Sequence, residues 1–336
     1  MDLQQLGEFG LIQRIKEIVQ VSAEDIIAGI GDDCAVLRTA NDQTLLLSTD
    51  TLIEGVHFNL SYFTFYDLGW RAMAVNLSDI AAMGGWPSFV LVALGLPRTL
   101  QVESVEELYR GMKALTDKYQ VAIIGGDTTR APDRLYLSLA VIGQAAARQV
   151  ACRSNAKVGD ALFVTGTLGA ACAGLKVLTA ADASLVEKFP AAVHKHLKPE
   201  PRLNEARFLV EQFSLHAMID ISDGLAAEVH HICASSRVGA VLFEQNIPLD
   251  QDTRAIAELL GETSSEYALN GGEDFELLFS ARETDGQKLA TLFQEKFGMA
   301  CTQIGKVVEE PAGISLKRTS GQRIPLQDKG YDHLRS

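Results

Sequence analysis

The sequence predicts a two-domain protein of mixed class, α/β or α+β. Three observations carry this. The chain has 336 residues, about twice the length of an ordinary domain. Apolar runs of strand character interleave with helical stretches throughout, the pattern of sheet-and-helix layers. A polar segment, Ala145 to Asp160, ends in the turn Val158-Gly159-Asp160 and separates the halves. The expected domains are therefore 1–150 and 151–336.

Glu8 to Val19 reads as a short helix. Thr44 to Asp50 (TLLLSTD) reads as a strand, and Val56 to Leu60 as a second extended stretch. Asp67 to Met83 is a long, mostly apolar helix, closed by Gly84-Gly85. Pro87 to Leu96 is a buried strand ended by Pro97. Val102 to Tyr119 is amphipathic, with Glu103, Glu106 and Glu107 near its start, where carboxylates complement the helix dipole. Val121 to Ile124 is a strand running into Gly125-Gly126, and Leu135, Leu137, Leu139 and Val141 alternate along another. The second half opens with a strand at Ala161 to Thr165 and a small-residue helix at Gly169 to Thr179. Pro199 and Pro201 mark a loop before the helix Leu203 to Phe213. Strands follow at His216 to Ile219, Ala240 to Phe243 and Phe275 to Ser280. Helices start at Leu225, near Thr253 and at Asp285.

Composition narrows the function classes. Hydrophobic residues are 47% and charged residues 22%, so disorder is excluded as the main state. A net charge of −13 argues against a nucleic-acid partner and against an anionic membrane surface. The apolar run Phe89 to Leu96 is too short to cross a bilayer. The opening MDLQQLGEFGLIQRI has no long apolar core, so no signal peptide is expected. Cys34, Cys152, Cys172, Cys233 and Cys301 are odd in number and form no CxxC. That speaks against a disulfide framework or zinc knuckle and for reduced thiols in the cytoplasm.

The chemistry lies in aspartates set among apolar or glycine-rich residues. They are Asp32 and Asp33 in GIGDDC, Asp50 in TLLLSTD, Asp79 in AVNLSDIAAMGG, Asp127 in AIIGGD, and Asp220 and Asp223 in MIDISDG, joined by Glu273 and Asp274 in NGGEDFE. Several close an apolar strand-like run, where ligands collect in open α/β sheets. Asp79 is the most telling. Ala72, Met73, Val75, Leu77, Ile80 and Met83 surround it in sequence, and a carboxylate there must be hydrogen-bonded, paired or bound to a cation. Only Arg130 and Arg134 lie near these groups in sequence. A divalent cation is the simpler partner, and oxygen-only ligands select Mg²⁺, Mn²⁺ or Ca²⁺.

Scattered aspartates beside glycine-rich loops point to phosphate chemistry. The familiar nucleotide motifs are absent. Ile304-Gly305-Lys306-Val307 has Val where a P-loop needs Ser or Thr. Gly29-Ile-Gly31 runs into Asp-Asp-Cys, and the protein-kinase HRD and DFG set is missing. Nucleotide use must come from another fold. Divalent ions would also remove the repulsion between an acidic protein and anionic reactants. The adjacent His230 and His231 point in different directions on a helix and read as structural. Cys34 reads as a small buried residue.

In order, GEFGLI, GIGDDCAV, STDTLIEGVHF, AVNLSDIAAMGG, IIGGDTTR, VTGTLG, HLKPEPR, IDISDGL, LNGGEDFELLF and KGYDH resemble the thiamine-monophosphate kinase family. This family lies within the wider aminoimidazole-ribonucleotide-synthetase-like superfamily. The match runs from Gly7 to His333; GGD or SDG alone would be shared across the superfamily. The resemblance implies a two-domain PurM-like fold, with N-terminal sheets forming a barrel across a homodimer and a C-terminal α/β domain. It implies ATP-dependent phosphorylation of thiamine monophosphate to thiamine diphosphate by direct in-line transfer.

Carried over by motif, the Mg²⁺ ligands would be Asp33, Ser48, Thr49, Asp50, Asp79, Asp127, Asp220 and Asp223. Asp50, Asp79, Asp127 and Asp220 would carry catalysis. ATP contacts would fall on Gly126, Asp127, Arg153 and Ser222, and substrate contacts on His57, Glu273 and Tyr331. The chemistry is consistent with each role. A substrate phosphate oxygen is already anionic, so no strong base and no covalent intermediate are needed; positioning and charge neutralisation suffice. Arg153 would fork onto ATP phosphates, Glu273 would face the cationic part of thiamine, and Tyr331 would cover a ring. Two alternatives stand beside this. A selenide-phosphorylating or amidine-forming relative should lack the GEDFELLF, KGYDH and VHF matches. A non-enzymatic acidic metal-binding protein would bind metal without turning over ATP.

Overall fold

The structure is a computed structural model that describes residues 2–19, 23–39, 42–180 and 182–334. Its first sheet is built from β1 (Ile26–Ala28), β2 (Ala35–Arg38), β3 (Gln43–Ile53), β4 (Trp86–Leu96), β5 (Ala122–Arg130) and β6 (Tyr136–Ala146), in the order β1-β2-β3-β6-β4-β5. The second contains β7 (Asp160–Thr165), β8 (Leu215–Asp220), β9 (Gly239–Phe243), β10 (Leu277–Arg282), β11 (Cys301–Val308), β12 (Ile314–Lys317) and β13 (Arg323–Pro325), in the order β13-β12-β9-β11-β7-β10-β8. Each sheet has one parallel pair, β4 with β5 and β12 with β9; the other pairings are antiparallel. This is an α+β arrangement. The strand-end rule for open α/β sheets therefore does not place the ligands here. β3 continues past Asp50 to Ile53 and β5 past Asp127 to Arg130, whereas Asp220 does end β8.

The helices before the first sheet are α1 (Leu3–Leu6) and α2 (Glu8–Val19). Then come α3 (Phe65–Ala82) and α4 (Val102–Tyr119). The helices of the second half are α5 (Ala170–Thr179), α6 (Ala183–Lys188), α7 (Pro190–Leu197), α8 (Leu203–Gln212), α9 (Leu225–Ser236), α10 (Gln251–Leu260), α11 (Ser264–Asn270) and α12 (Gly286–Phe297).

The position of α3 explains its composition. It packs on β3, β4 and β6, on α4 and α8, and on β8 of the second sheet. A helix covered on all sides is apolar all round. Thr64 caps its start, accepting the Asp67 N–H at 3.0 Å. Gly69 and Gly111 let α3 and α4 touch backbone to backbone, since a Cβ at either would collide with the carbonyl of Leu108 or Tyr66. One hydrophobic core runs through both halves, joining Leu77, Leu139 and Val92 to Met218, Phe279 and Phe293.

The first sheet is covered on one face only. Leu137, Leu139 and Val141 of β6 and Val90, Val92 and Leu94 of β4 point into the core. On the other face Phe89 and Leu91 are 45% and 39% exposed, and Ile124 on β5 is 54% exposed. The stretch 56–60 turns instead of extending. Gly55 takes a φ of 81°, and Phe58 folds back into the core, 3% exposed. Among the described residues no helix is long and apolar enough to cross a membrane.

Candidate active site

A cavity of about 1270 Å³ opens between the two halves. Its two ends differ in chemistry, and α3 contributes to both.

At one end, ligand oxygens of Asp33, Asp79 and Asp220 lie within 4.8 Å of one another. They come from the β1–β2 loop, α3 and the end of β8. Hydroxyl and amide partners aim them. Ser48 on β3 donates to Asp79 Oδ2, and Ser78 donates to Asp220 Oδ2 at 2.5 Å. The Asp50 N–H donates to Asn76 Oδ1 at 3.2 Å, so β3 is pinned to α3 beside the carboxylates. Cys34 is buried and its thiol donates to the Asp79 carbonyl at 3.5 Å. Arg153 forks onto Asp33, with Nε at 3.2 Å and Nη2 also bonded. Its backbone N–H meets Asp32 at 3.2 Å. Asp33 thus takes its cation from a residue 120 positions away, where nearness in sequence had pointed only to Arg130 and Arg134.

One arginine does not balance this cluster. Burial, then the charges of Asp50, Asp220 and Asp33, push the Asp79 carboxyl well above the usual range. Burial and then Asp33 raise Asp220 to about 7 and Asp50 to about 6. Asp32 rises to about 6, by burial first and Asp33 second. Burial and then Glu8 raise Asp223 to about 7. Asp33 Oδ2 is buried and makes no hydrogen bond among the described residues. A buried acceptor without a donor beside like charges is costly unless a cation completes it. The donor set is all oxygen, which fits a hard divalent cation.

Behind this end, Glu228 on α9 is 2% exposed. Its Oε1 accepts the N–H groups of Ser222 and Asp223, at 3.2 and 2.9 Å, and the Ser222 hydroxyl at 3.3 Å. The ISDG loop is thereby fixed against the start of α9.

The other end is aromatic and carries one paired anion. Tyr62, His57, Tyr331 and His333 line it with Cys172 and the loop Asn270–Glu273. The rings of His57 and His333, and of Tyr331 and His333, lie 4.8 Å apart by centroid. His57 is fixed by accepting the Ile53 N–H at Nδ1, 3.0 Å. Glu273 sits at a φ of 72° and pairs with Arg71 of α3. Its other oxygen lies 3.3 Å from His196 Nδ1. Burial alone would raise its pKa, but Arg71, with His196, outweighs that and holds Glu273 at about 2.

Of the residues singled out by sequence, Asp33, Ser48, Thr49, Asp50, His57, Asp79, Arg153, Asp220, Ser222, Asp223, Glu273 and Tyr331 line this cavity. Thr49 has the opposite strand parity from Ser48 and Asp50, and its hydroxyl donates to the Leu139 carbonyl. Gly126 and Asp127 do not line the cavity. They sit on the exposed edge strand β5, three strands or about 14 Å from β3. Gly126 has a structural reason of its own: φ is +152°, and a Cβ would strike the Val92 carbonyl. Arg71, His196 and Glu228 were not anticipated. Arg71 and Glu228 carried the signal used for Asp79, a charge within an apolar helix.

With this geometry in place, the comparisons define the class. Residues 31–145 match the family model of the AIR synthase related protein, N-terminal domain, and residues 157–317 that of the C-terminal domain. The chain belongs to the AIR synthase related proteins and has their two-domain PurM-like fold. Its relatives narrow the family. It is 37% identical to the thiamine-monophosphate kinase of Bacillus subtilis, over 98% of this chain and 100% of that one. It is also 37% identical to the Escherichia coli K12 protein of that name, over 97% and 98%. Among solved structures, AaThiL complexed with AMPPCP and TMP superposes at a TM-score of 0.85, with 33% identity over 99% of each chain. The thiamine monophosphate kinase of Aquifex aeolicus gives 0.80 and 32%, over 97% of this chain and 100% of that one. The chain belongs to the thiamine-monophosphate kinase family.

Proposed function

We propose that this protein transfers the terminal phosphate of ATP to thiamine monophosphate, giving thiamine diphosphate and ADP. The observation that carries this is the two-ended cavity. An under-neutralised oxygen cluster suits phosphates and their cations, and an aromatic end with one fixed anion suits a cationic heteroaromatic molecule. The relative complexed with AMPPCP and TMP supports the same pair of ligands.

Asp33, Asp50, Asp79, Asp220 and Asp223, with Ser48, would hold several Mg²⁺ ions. Ions held there would supply charge neutralisation for the phosphates. The chain's own groups do the rest. Ser48 and Ser78 orient Asp79 and Asp220 by donating to them. Arg153 stands beside Asp33 as the guanidinium for ATP phosphates, and Glu228 holds the Ser222–Asp223 backbone in place for them. Glu273, His57 and Tyr331 position the organic part of the acceptor. Its phosphate attacks as an anion, so no residue needs to act as a strong base.

The working unit is proposed to be a homodimer whose first sheets close into a barrel. The open face with Phe89, Leu91 and Ile124, and the unpaired edge β5, support this. Closure would set Gly126 and Asp127 of a second copy against the site, where the family motif expects ATP and metal. The N-terminal unit 1–150 would supply dimerisation and the metal and ATP loops, and 151–336 most nucleotide and substrate contacts. Five free cysteines are in keeping with the cytoplasm.

The test is incubation with ATP, Mg²⁺ and thiamine monophosphate, resolving products by chromatography, with free thiamine as control acceptor. One-to-one thiamine diphosphate and ADP, from the monophosphate only, is expected. ADP without thiamine diphosphate would move the protein to a sister activity. No turnover by folded protein would leave a metal-binding role.

A further inference from the structure

The loop Gly272–Glu276 spends each of its three carboxylates on a dedicated partner. Asp274 accepts the N–H groups of Gly169 and Ala171, at 2.6 and 3.2 Å. Glu276 takes Arg202 Nε at 2.6 Å and the Thr165 hydroxyl at 2.7 Å. Glu273 takes Arg71. The first two pairs are buried, and none of their residues lines the cavity. The third is different: the Glu273 side chain is 32% exposed at the cavity wall, whereas Arg71 behind it is 2% exposed.

Arg71 is tied at several points. Nη1 donates to the His196 carbonyl on α7, and Nη2 to Glu273. The guanidinium carbon lies 5.7 Å from the Phe63 ring centroid. It therefore holds α3 of the first half to α7 and the Glu273 loop of the second. Glu273 needs such holding. Its φ of 72° and that of 49° at Phe275 are left-handed, a conformation that costs a non-glycine residue energy unless the surroundings enforce it. The Glu273 N–H donates to the Ser222 carbonyl at 2.7 Å, so the same loop is backed by the segment at the cavity's other end. Arg71 and Asp79 lie on one helix, about 12 Å apart along its axis. One rigid element thus reaches both ends of the cavity.

We propose that Arg71 is a positioning residue for the organic acceptor: it fixes the Glu273 carboxylate in place and sets its distance from the carboxylate cluster. This rests on the proposed kinase reading. Arg71 belongs to the cavity lining, but its side chain is only 2% exposed against 32% for Glu273, so it acts through Glu273. Its effect belongs to acceptor recognition and not to ATP.

The test is steady-state kinetics on the full-length protein with four variants: Arg71→Met, Arg71→Lys, Glu273→Gln and the double variant Arg71→Met with Glu273→Gln. Arg71→Met is expected to raise KM for thiamine monophosphate at least tenfold. KM for ATP should stay within twofold and kcat within threefold. Arg71→Lys should recover most of the loss, because an ammonium still offers Glu273 a charge and a donor. The double variant should bind acceptor no worse than the poorer single variant, since Arg71 has no other route of action. It also removes both charges together, so it carries the test if Arg71→Met alone does not fold. The proposal is overturned if KM for ATP rises in step with that for the acceptor, if acceptor KM is unchanged, or if the two single effects multiply. Wild-type protein that turns over no thiamine monophosphate would overturn the underlying reading, and the role of Arg71 with it. Normal wild-type turnover with an indifferent Arg71→Met overturns the role of Arg71 alone.

Discussion

Asp79 and Glu273 are carboxylates at opposite ends of one cavity, and the protein treats them in opposite ways. Glu273 is given a covered arginine and held at about 2. Asp79 is given a hydroxyl and three carboxylate neighbours, and is pushed well above its usual range. Glu276 is likewise given an arginine, Arg202. Asp220 follows the pattern of Asp79. Where a fixed anion orients structure or acceptor, the chain supplies its own cation. Where negative charge is left over, folding carries a cost that binding of external cations would relieve.

The largest expected effect is at the under-neutralised end. Asp79→Asn should cut turnover about a thousand-fold, while the thermal midpoint holds or rises because a repelled charge has gone. A parallel collapse of folding, read by thermal melt, would break the contrast. Next is a structural pair. Arg202→Met leaves the buried Glu276 with only the Thr165 hydroxyl and the longer Lys195 pair at 3.7 Å, and should destabilise by about 3 kcal/mol in urea titration; a neutral result would deny that such pairs hold the loop. Third, Glu273→Gln should raise acceptor KM about tenfold, the scale of one charge-assisted hydrogen bond. A change in ATP KM alone would show the anion misassigned.

The smallest effect is in pH. Asp50 and Asp220 titrate near 6 and 7 in the folded protein against 3.8 when free. Folded carboxyls with raised pKa bind more protons than unfolded ones. Their favourable contribution is complete below about pH 4 and is lost as pH rises through 6 to 7. Mg²⁺ needs the ionised form. It should therefore raise the melting midpoint more at pH 8 than at pH 5.5, by about 2–4 °C. An equal gain at both would place the ion elsewhere.

Much of this was legible in the sequence, for identifiable reasons. The helix 102–119 was predicted to the residue because its period is clear and its first turn acidic. Asp79 stood out because a charge in an apolar helix needs a partner. Other features depended on context. The stretch 56–60 has strand-like composition, yet Gly55 turns it and Phe58 anchors it. β11 escaped notice because Gly305 interrupts its alternation where the register shifts against β7. The pairing of Arg71 with Glu273 spans 202 residues, and no local pattern encodes a contact of that range. Gly126 and Asp127 were visible as a motif, but the single chain leaves them on an exposed edge, outside the cavity.

The most direct test of the central claim is a crystal structure grown with Mn²⁺, a non-hydrolysable ATP analogue and thiamine monophosphate, with the ions located by anomalous scattering. The account predicts anomalous peaks among Asp33, Asp79 and Asp220, phosphates beside them, and the organic rings against Glu273. Peaks away from those carboxylates, or rings far from Glu273, would contradict it.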